Sequence, residues 1–190
     1  MSAASFKRAA DGDIDGAGGP GKKRGKRHGN MKQLLGLEGN ETEVNLDGKC
    51  VEFSSSAFLC EVMDACRHII HLSARNNGIR DWDDMAQALK NNTTLTVLHL
   101  SGNSMGDTGC TSLSKALEVN TTLTTLDLSG DFIGDAGCAS LSKALEALQF
   151  RQNIGLISLH VGEHARVSHA FVSMCFQPTP SFPLHWSVRW

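Results

Sequence analysis

One internal repeat constrains this chain more than any other feature. Residues 93–120, TTLTVLHLSGNSMGDTGCTSLSKALEVN, align without a gap on residues 121–148, TTLTTLDLSGDFIGDAGCASLSKALEAL, and 19 of the 28 positions are identical. The apolar frame Leu95, Leu98, Leu100, Met105, Leu113, Ala116 and Leu117 recurs as Leu123, Leu126, Leu128, Ile133, Leu141, Ala144 and Leu145. A fixed period of this length means stacked units, each dependent on its neighbours for a buried face, rather than one globular core.

Two periodicities sit inside each unit. Leu98-x-Leu100 alternates with period two, as a short strand with one buried face does. Leu113, Ala116 and Leu117 fall at i, i+3 and i+4, one stripe of a helix. Asp107 and Asp135 precede these helices and are expected to cap their free N–H groups. Gly109 and Gly137 imply close backbone approach or an unusual dihedral at the helix start.

The pattern extends upstream. Ile70 and Leu72 stand one full period before Leu98 and Leu100, and Met85, Ala88 and Leu89 stand one period before Leu113, Ala116 and Leu117. Residues 65–92 therefore read as a diverged repeat with a longer turn, NNGIRD. Val44-x-Leu46 fits a first strand, although Asp47-Gly48 is also a hairpin signal. The step from Leu46 to Leu72 is 26. Four parallel strands are expected, near 44–46, 70–72, 98–100 and 126–128. Leu156-x-x-Leu159-x-Val161 offers a fifth, later than one period after Leu123, that would cover the open edge.

The pattern LxxLxLxxNxhxxxGxxxLxxAL resembles the ribonuclease-inhibitor-like class of leucine-rich repeats, the class found in Ran GTPase-activating proteins and NOD-like receptors. The resemblance implies an α/β leucine-rich-repeat solenoid, a partial horseshoe with a short parallel sheet on the concave face and helices on the convex face. It also implies a turn asparagine in each repeat. That residue is present only as Asn103, with Lys49, Arg75 and Asp131 as its equivalents in the other repeats. A carboxylate accepts hydrogen bonds but does not donate them, so the asparagine network is expected to be incomplete.

Composition divides the chain into three parts: residues 1–30, the repeats at 31–148, and an irregular 149–190. Residues 1–30 carry seven glycines and a net charge of +4, whereas the remaining residues carry −6. Such a Gly-rich basic segment buries too little apolar surface to offset its ordering entropy. Lys22, Lys23, Arg24, Lys26 and Arg27 form a candidate nuclear-import signal or polyanion contact, with a plain solvated tail as the alternative. The acidic body argues against broad phosphate-backbone binding. No stretch approaches the roughly 20 apolar residues of a membrane span. The start MSAASFKRAADGDIDG lacks the apolar run of a secretory signal, so a cytoplasmic or nuclear location is expected, with reduced cysteines.

Residues between the buried leucines face the concave surface. The central column is expected to hold Asn45, His71, His99 and Asp127, with His160 if the fifth strand forms. Flanking columns hold Ile69, Val97 and Thr125, and Ser73, Ser101 and Ser129. The resemblance makes these columns the expected protein-binding face. Two histidines beside an aspartate are also a possible divalent-metal or pH-responsive set, but ordinary interface residues are the simpler reading, and no metal or cofactor is expected. His160, His164 and His169 lie in a Gly-containing, strand-like stretch that offers no zinc context. Cys110 and Cys138 are expected to pack between helix and sheet. No P-loop, nucleophile-elbow or dinucleotide-binding signature is present. The expected role is a non-enzymatic scaffold for a protein partner. A regulatory factor resembling Ran GTPase-activating protein, and a nuclear protein touching nucleic acid through its basic tail, are the alternatives.

Overall fold

A computed structural model describes residues 35–49, 56–150 and 158–161. The candidate import residues Lys22 to Arg27, and His164 and His169, lie outside these. Strands and helices alternate strictly: β1 (Glu43–Asn45), α1 (Ala57–Ala65), β2 (His71–Ser73), α2 (Asp83–Asn91), β3 (Val97–His99), α3 (Gly106–Leu117), β4 (Thr125–Asp127), α4 (Asp135–Phe150) and β5 (Ser158–His160). The five strands form one sheet in sequence order, and every neighbouring pair is parallel. β1 is thus the first strand of the sheet, parallel to β2. The fifth strand is present, with Leu159 opposite Leu126.

A single core runs between sheet and helices. Val44, Leu72, Leu98, Leu126 and Leu159 form its sheet-side spine, each at most 6% exposed. Leu59, Met85, Leu113 and Leu141 meet it from the four helices. No described helix is long and apolar enough to cross a membrane.

The register corrects the expected spacing. Leu72, not Ile70, lies opposite Leu98. The step from Leu72 to Leu98 is therefore 26, against 28 from Leu98 to Leu126. The helical frame keeps the longer step, so the passage from Leu72 to Met85 is two residues shorter than that from Leu98 to Leu113. The turn NNGIRD is short, not long. Ile70, expected in the core, is 45% exposed, and Ile69, expected on the concave face, is buried.

The same slip restores an asparagine that the uniform period hides. Asn77, not Arg75, is the counterpart of Asn103, and both are buried. Asn103 Oδ1 accepts the Asn77 and Ile79 amides at 3.0 and 3.3 Å, and its Nδ2 donates to the Ala74 carbonyl at 3.0 Å and to that of Leu100. Asn77 Nδ2 reaches back in the same way to the Leu46 carbonyl at 3.1 Å. Each side chain satisfies buried backbone of the repeat before it. One residue earlier in each turn the backbone is left-handed, at Gly48, Asn76, Gly102 and Gly130, with φ from 55° to 74°. Only Asn76 lacks the glycine that this region favours.

Helix capping is also passed between repeats. Asp107 lies inside the first turn of α3 rather than before it, and its Oδ1 accepts the Gly134 and Gly137 amides at the start of α4, at 2.7 and 3.0 Å. Ser56 Oγ likewise accepts the Met85 amide of α2 at 3.1 Å. Gly109 and Gly137 allow close approach with no unusual dihedral. A Cβ on Gly109 would stand 2.5 Å from Trp82 Cδ1, and one on Gly137 2.8 Å from Asp107 Oδ1.

Candidate functional site

In-register parallel strands stack equivalent side chains into columns about 4.8 Å apart. Two columns face away from the helices. One runs Glu43, His71, Val97, Thr125, Ser158; the other runs Asn45, Ser73, His99, Asp127, His160. His71 therefore belongs to the Val97 column and not, as the 28-residue spacing predicts, to that of His99. Ser73 takes the place beside His99. Because the slip is two residues, both side chains remain on the concave face.

Two residues past each strand, a third row holds Asp47, Arg75, Ser101 and Ser129, fixed by amide-to-carbonyl bonds from Gly48 to Arg75, from Asn76 to Ser101 and from Gly102 to Ser129. Asp47 and Arg75 do not emerge as site residues from the sequence. Their row follows steps of 28 from β1 to β2 (Val44 opposite Leu72, not Leu46) and of 26 from β2 to β3, so neither a uniform period nor the 26-residue spacing of Leu46 and Leu72 places them.

A polar network joins these rows. Asp47 Oδ1 accepts the Ser73 hydroxyl at 2.6 Å and the Arg75 amide at 2.8 Å. The Arg75 guanidinium spans two strands to reach Asp127 Oδ2 at 3.5 Å. Asp127 Oδ1 accepts the Ser129 amide at 3.1 Å and hydroxyl at 2.7 Å. His99 Nδ1 stands 3.6 Å from Asp127 Oδ2, too far for a hydrogen bond, and has no other partner. The His71 and His99 rings lie 5.1 Å apart, tilted by 56°. Val97, Thr125 and Ser101 border this cluster, and Asn45 lies at its far end, its Oδ1 accepting the Asp47 amide.

The electrostatics follow from these contacts. Burial lowers the affinity of His99 for a proton, the Arg75 charge lowers it further, and Asp127 only partly opposes them, so the imidazole is neutral at pH 7. Burial raises Asp127, but the Ser129 donors and Arg75 outweigh it and hold the carboxyl below its ordinary range. Asp47 is held down in the same way by Ser73 and Arg75 against the effect of burial. The network thus brings together the carboxylates of Asp47 and Asp127, the Arg75 guanidinium bound to the second of them, and the neighbouring imidazoles of His71 and His99. Among the described residues no group of three metal-ligating side chains is arranged to hold an ion. Cys110 is fully buried, its thiol directed at the Gly137 carbonyl at 3.4 Å, and burial pushes it up to about 12.

Comparison with known proteins agrees with this geometry. The family described as "Leucine Rich repeat" matches residues 91–114 and 119–142. No curated protein sequence matches the chain. Among solved structures, the tropomodulin C-terminal domain of Caenorhabditis elegans is similar with a TM-score of 0.58 at 15% identity, over 76% of this chain and 85% of that one. At that identity the likeness concerns the fold.

Proposed function

We propose that this leucine-rich-repeat solenoid is an interaction scaffold that binds a protein partner on its concave face. The observation that carries the reading is the concave network itself. Arg75, His99, Asp127 and Ser129 are drawn together from three repeats, and the core spine of leucines does not need them. No described element packs across this face. Half-buried Arg and His side chains, held in place by neighbours, lose little freedom when a partner covers them. Fold alone does not give a function, so the proposal rests on the site.

Affinity capture with the intact chain, compared with a His99→Glu/Asp127→Lys variant, tests it. Lys115→Glu, on the exposed side of α3, is the control. Loss of a captured protein with the double variant, and retention with the control, is the expected outcome. Equal capture by all three rejects the concave face.

A further inference from the structure

The buried carboxyl of Asp131 has no part in the concave network. It occupies the turn position that Asn77 and Asn103 fill in the two preceding repeats, and it is 1% exposed. Its Oδ1 behaves as an asparagine carbonyl does, accepting the Met105 amide at 3.4 Å just as Asn103 Oδ1 accepts that of Ile79. The difference lies in the second atom. Asn103 Nδ2 donates to the Ala74 and Leu100 carbonyls, whose counterparts one repeat on are Leu100 and Leu128. In Asp131 the second atom is an oxygen, and this Oδ2 is buried without a hydrogen-bond partner. An ionised oxygen facing carbonyl oxygens is repelled, whereas a protonated one donates as an amide does.

We propose that Asp131 is a neutral carboxylic acid in the folded protein, its Oδ2–H directed at the carbonyls of Leu100 and Leu128 in place of an asparagine amide. The ladder is then continuous through three repeats, with a proton as its last member, and its integrity depends on pH.

The surroundings agree. Among the described residues no basic side chain pairs with Asp131. The titratable groups that sense it are Asp127, at the end of β4, whose negative charge opposes a second anion, and the Cys110 thiol of α3. Burial pushes the carboxyl up to about 8, Asp127 adds to this, and the Met105 and Asn103 amides only partly offset it. In the unfolded chain the same group ionises near its ordinary value of 3.8. Between these limits the folded state holds one proton more than the unfolded state, so stability falls as pH rises through the window and levels off above it.

The test is thermal unfolding of the full chain and of Asp131→Asn from about pH 4.5 to about pH 9. Titrations that do not sense Asp131 are common to both proteins and cancel in the difference, and those of Asp127 and Cys110 are shifted to values below and above this pH range. The variant is expected to gain on the wild type as pH rises, the gap in Tm widening by about 5 °C or more before it levels off. A gap that does not change with pH overturns the proposal. Carbon-13 NMR of the wild-type Asp131 carboxyl decides the matter separately, even if the variant fails to fold. A titration midpoint well above the ordinary carboxylate range is expected, and a midpoint near 4 overturns the proposal.

Discussion

Leu72 lies directly opposite Leu98 in the parallel sheet, a step of 26 along the chain, whereas Leu98 lies opposite Leu126 at a step of 28. This two-residue difference decides which side chains meet on the concave face. It puts Ser73 beside His99 and brings Arg75 within reach of Asp127. It also moves His71 into the adjoining column.

The register can be trapped covalently. Cysteines at Ser73 and His99 would have Cα atoms about 4.8 Å apart, inside disulfide range. Cysteines at His71 and His99 would be separated by about 8 Å, from strand spacing and rise combined, which is beyond that range. Mild oxidation followed by peptide mass mapping should find the Ser73→Cys/His99→Cys crosslink and not the other. The opposite result would restore the uniform 28-residue spacing.

The asparagine ladder should dominate the stability of the turns. Asn103→Ala leaves the buried amides of Asn77 and Ile79 and the Ala74 carbonyl without their partner. A loss of about 2–3 kcal/mol in urea unfolding is expected from unsatisfied buried groups. Lys49, at the corresponding place in the first repeat, is exposed and reaches only the Asn45 carbonyl. Lys49→Ala should stay within about 0.5 kcal/mol.

Gly109 should not tolerate a methyl group. An added Cβ would stand 2.5 Å from the Trp82 ring and 2.8 Å from Met105, both buried. Gly109→Ala is expected to destabilise by about 1–3 kcal/mol through overpacking, although alanine is the better helix former. Thr108→Ala, one residue earlier and exposed, is the control and should be near neutral.

The amino-terminal end should carry an acid-sensitive contact. Burial acts to raise Glu41, but the Glu38 and Gly39 amides and the Cys66 thiol donate to its carboxylate and bring it down to about 2. In the unfolded chain the group protonates near 4.5. The stabilisation is therefore complete above pH 4.5 and is lost as pH falls toward 2. Wild type should be more stable than Glu41→Gln at pH 6, with the difference in melting temperature shrinking through this acid window. A difference independent of pH would show that the carboxylate charge is not what matters.

Much of the architecture is legible in the sequence because the two near-identical repeats state both periods plainly. Leu98-x-Leu100 and the stripe Leu113, Ala116, Leu117 read as strand and helix without ambiguity. The second repeat is harder for a physical reason. Strand side chains alternate with period two, so Ile70-x-Leu72 and Leu72-x-Ala74 are equally good strand patterns, and a two-residue slip leaves the inward and outward faces unchanged. The helices keep their 28-residue step and conceal the deletion in the turn. On the uniform period Arg75 consequently reads as a failed turn asparagine, Asn77 goes unnoticed, and His71 falls in the wrong column. Asp107 reads as a cap for its own helix, since nothing in a linear sequence shows that a side chain serves the next repeat.

Site-specific photocrosslinking decides whether the network of Arg75, His99 and Asp127 lies within a protein-binding face. A benzophenone side chain is placed at Ser101 on the concave row or at Lys115 on the exposed side of α3. Irradiation in the presence of the captured partner should give a covalent adduct from position 101 and none from position 115. An adduct from position 115 alone would put the partner on the convex surface and refute the concave-face reading.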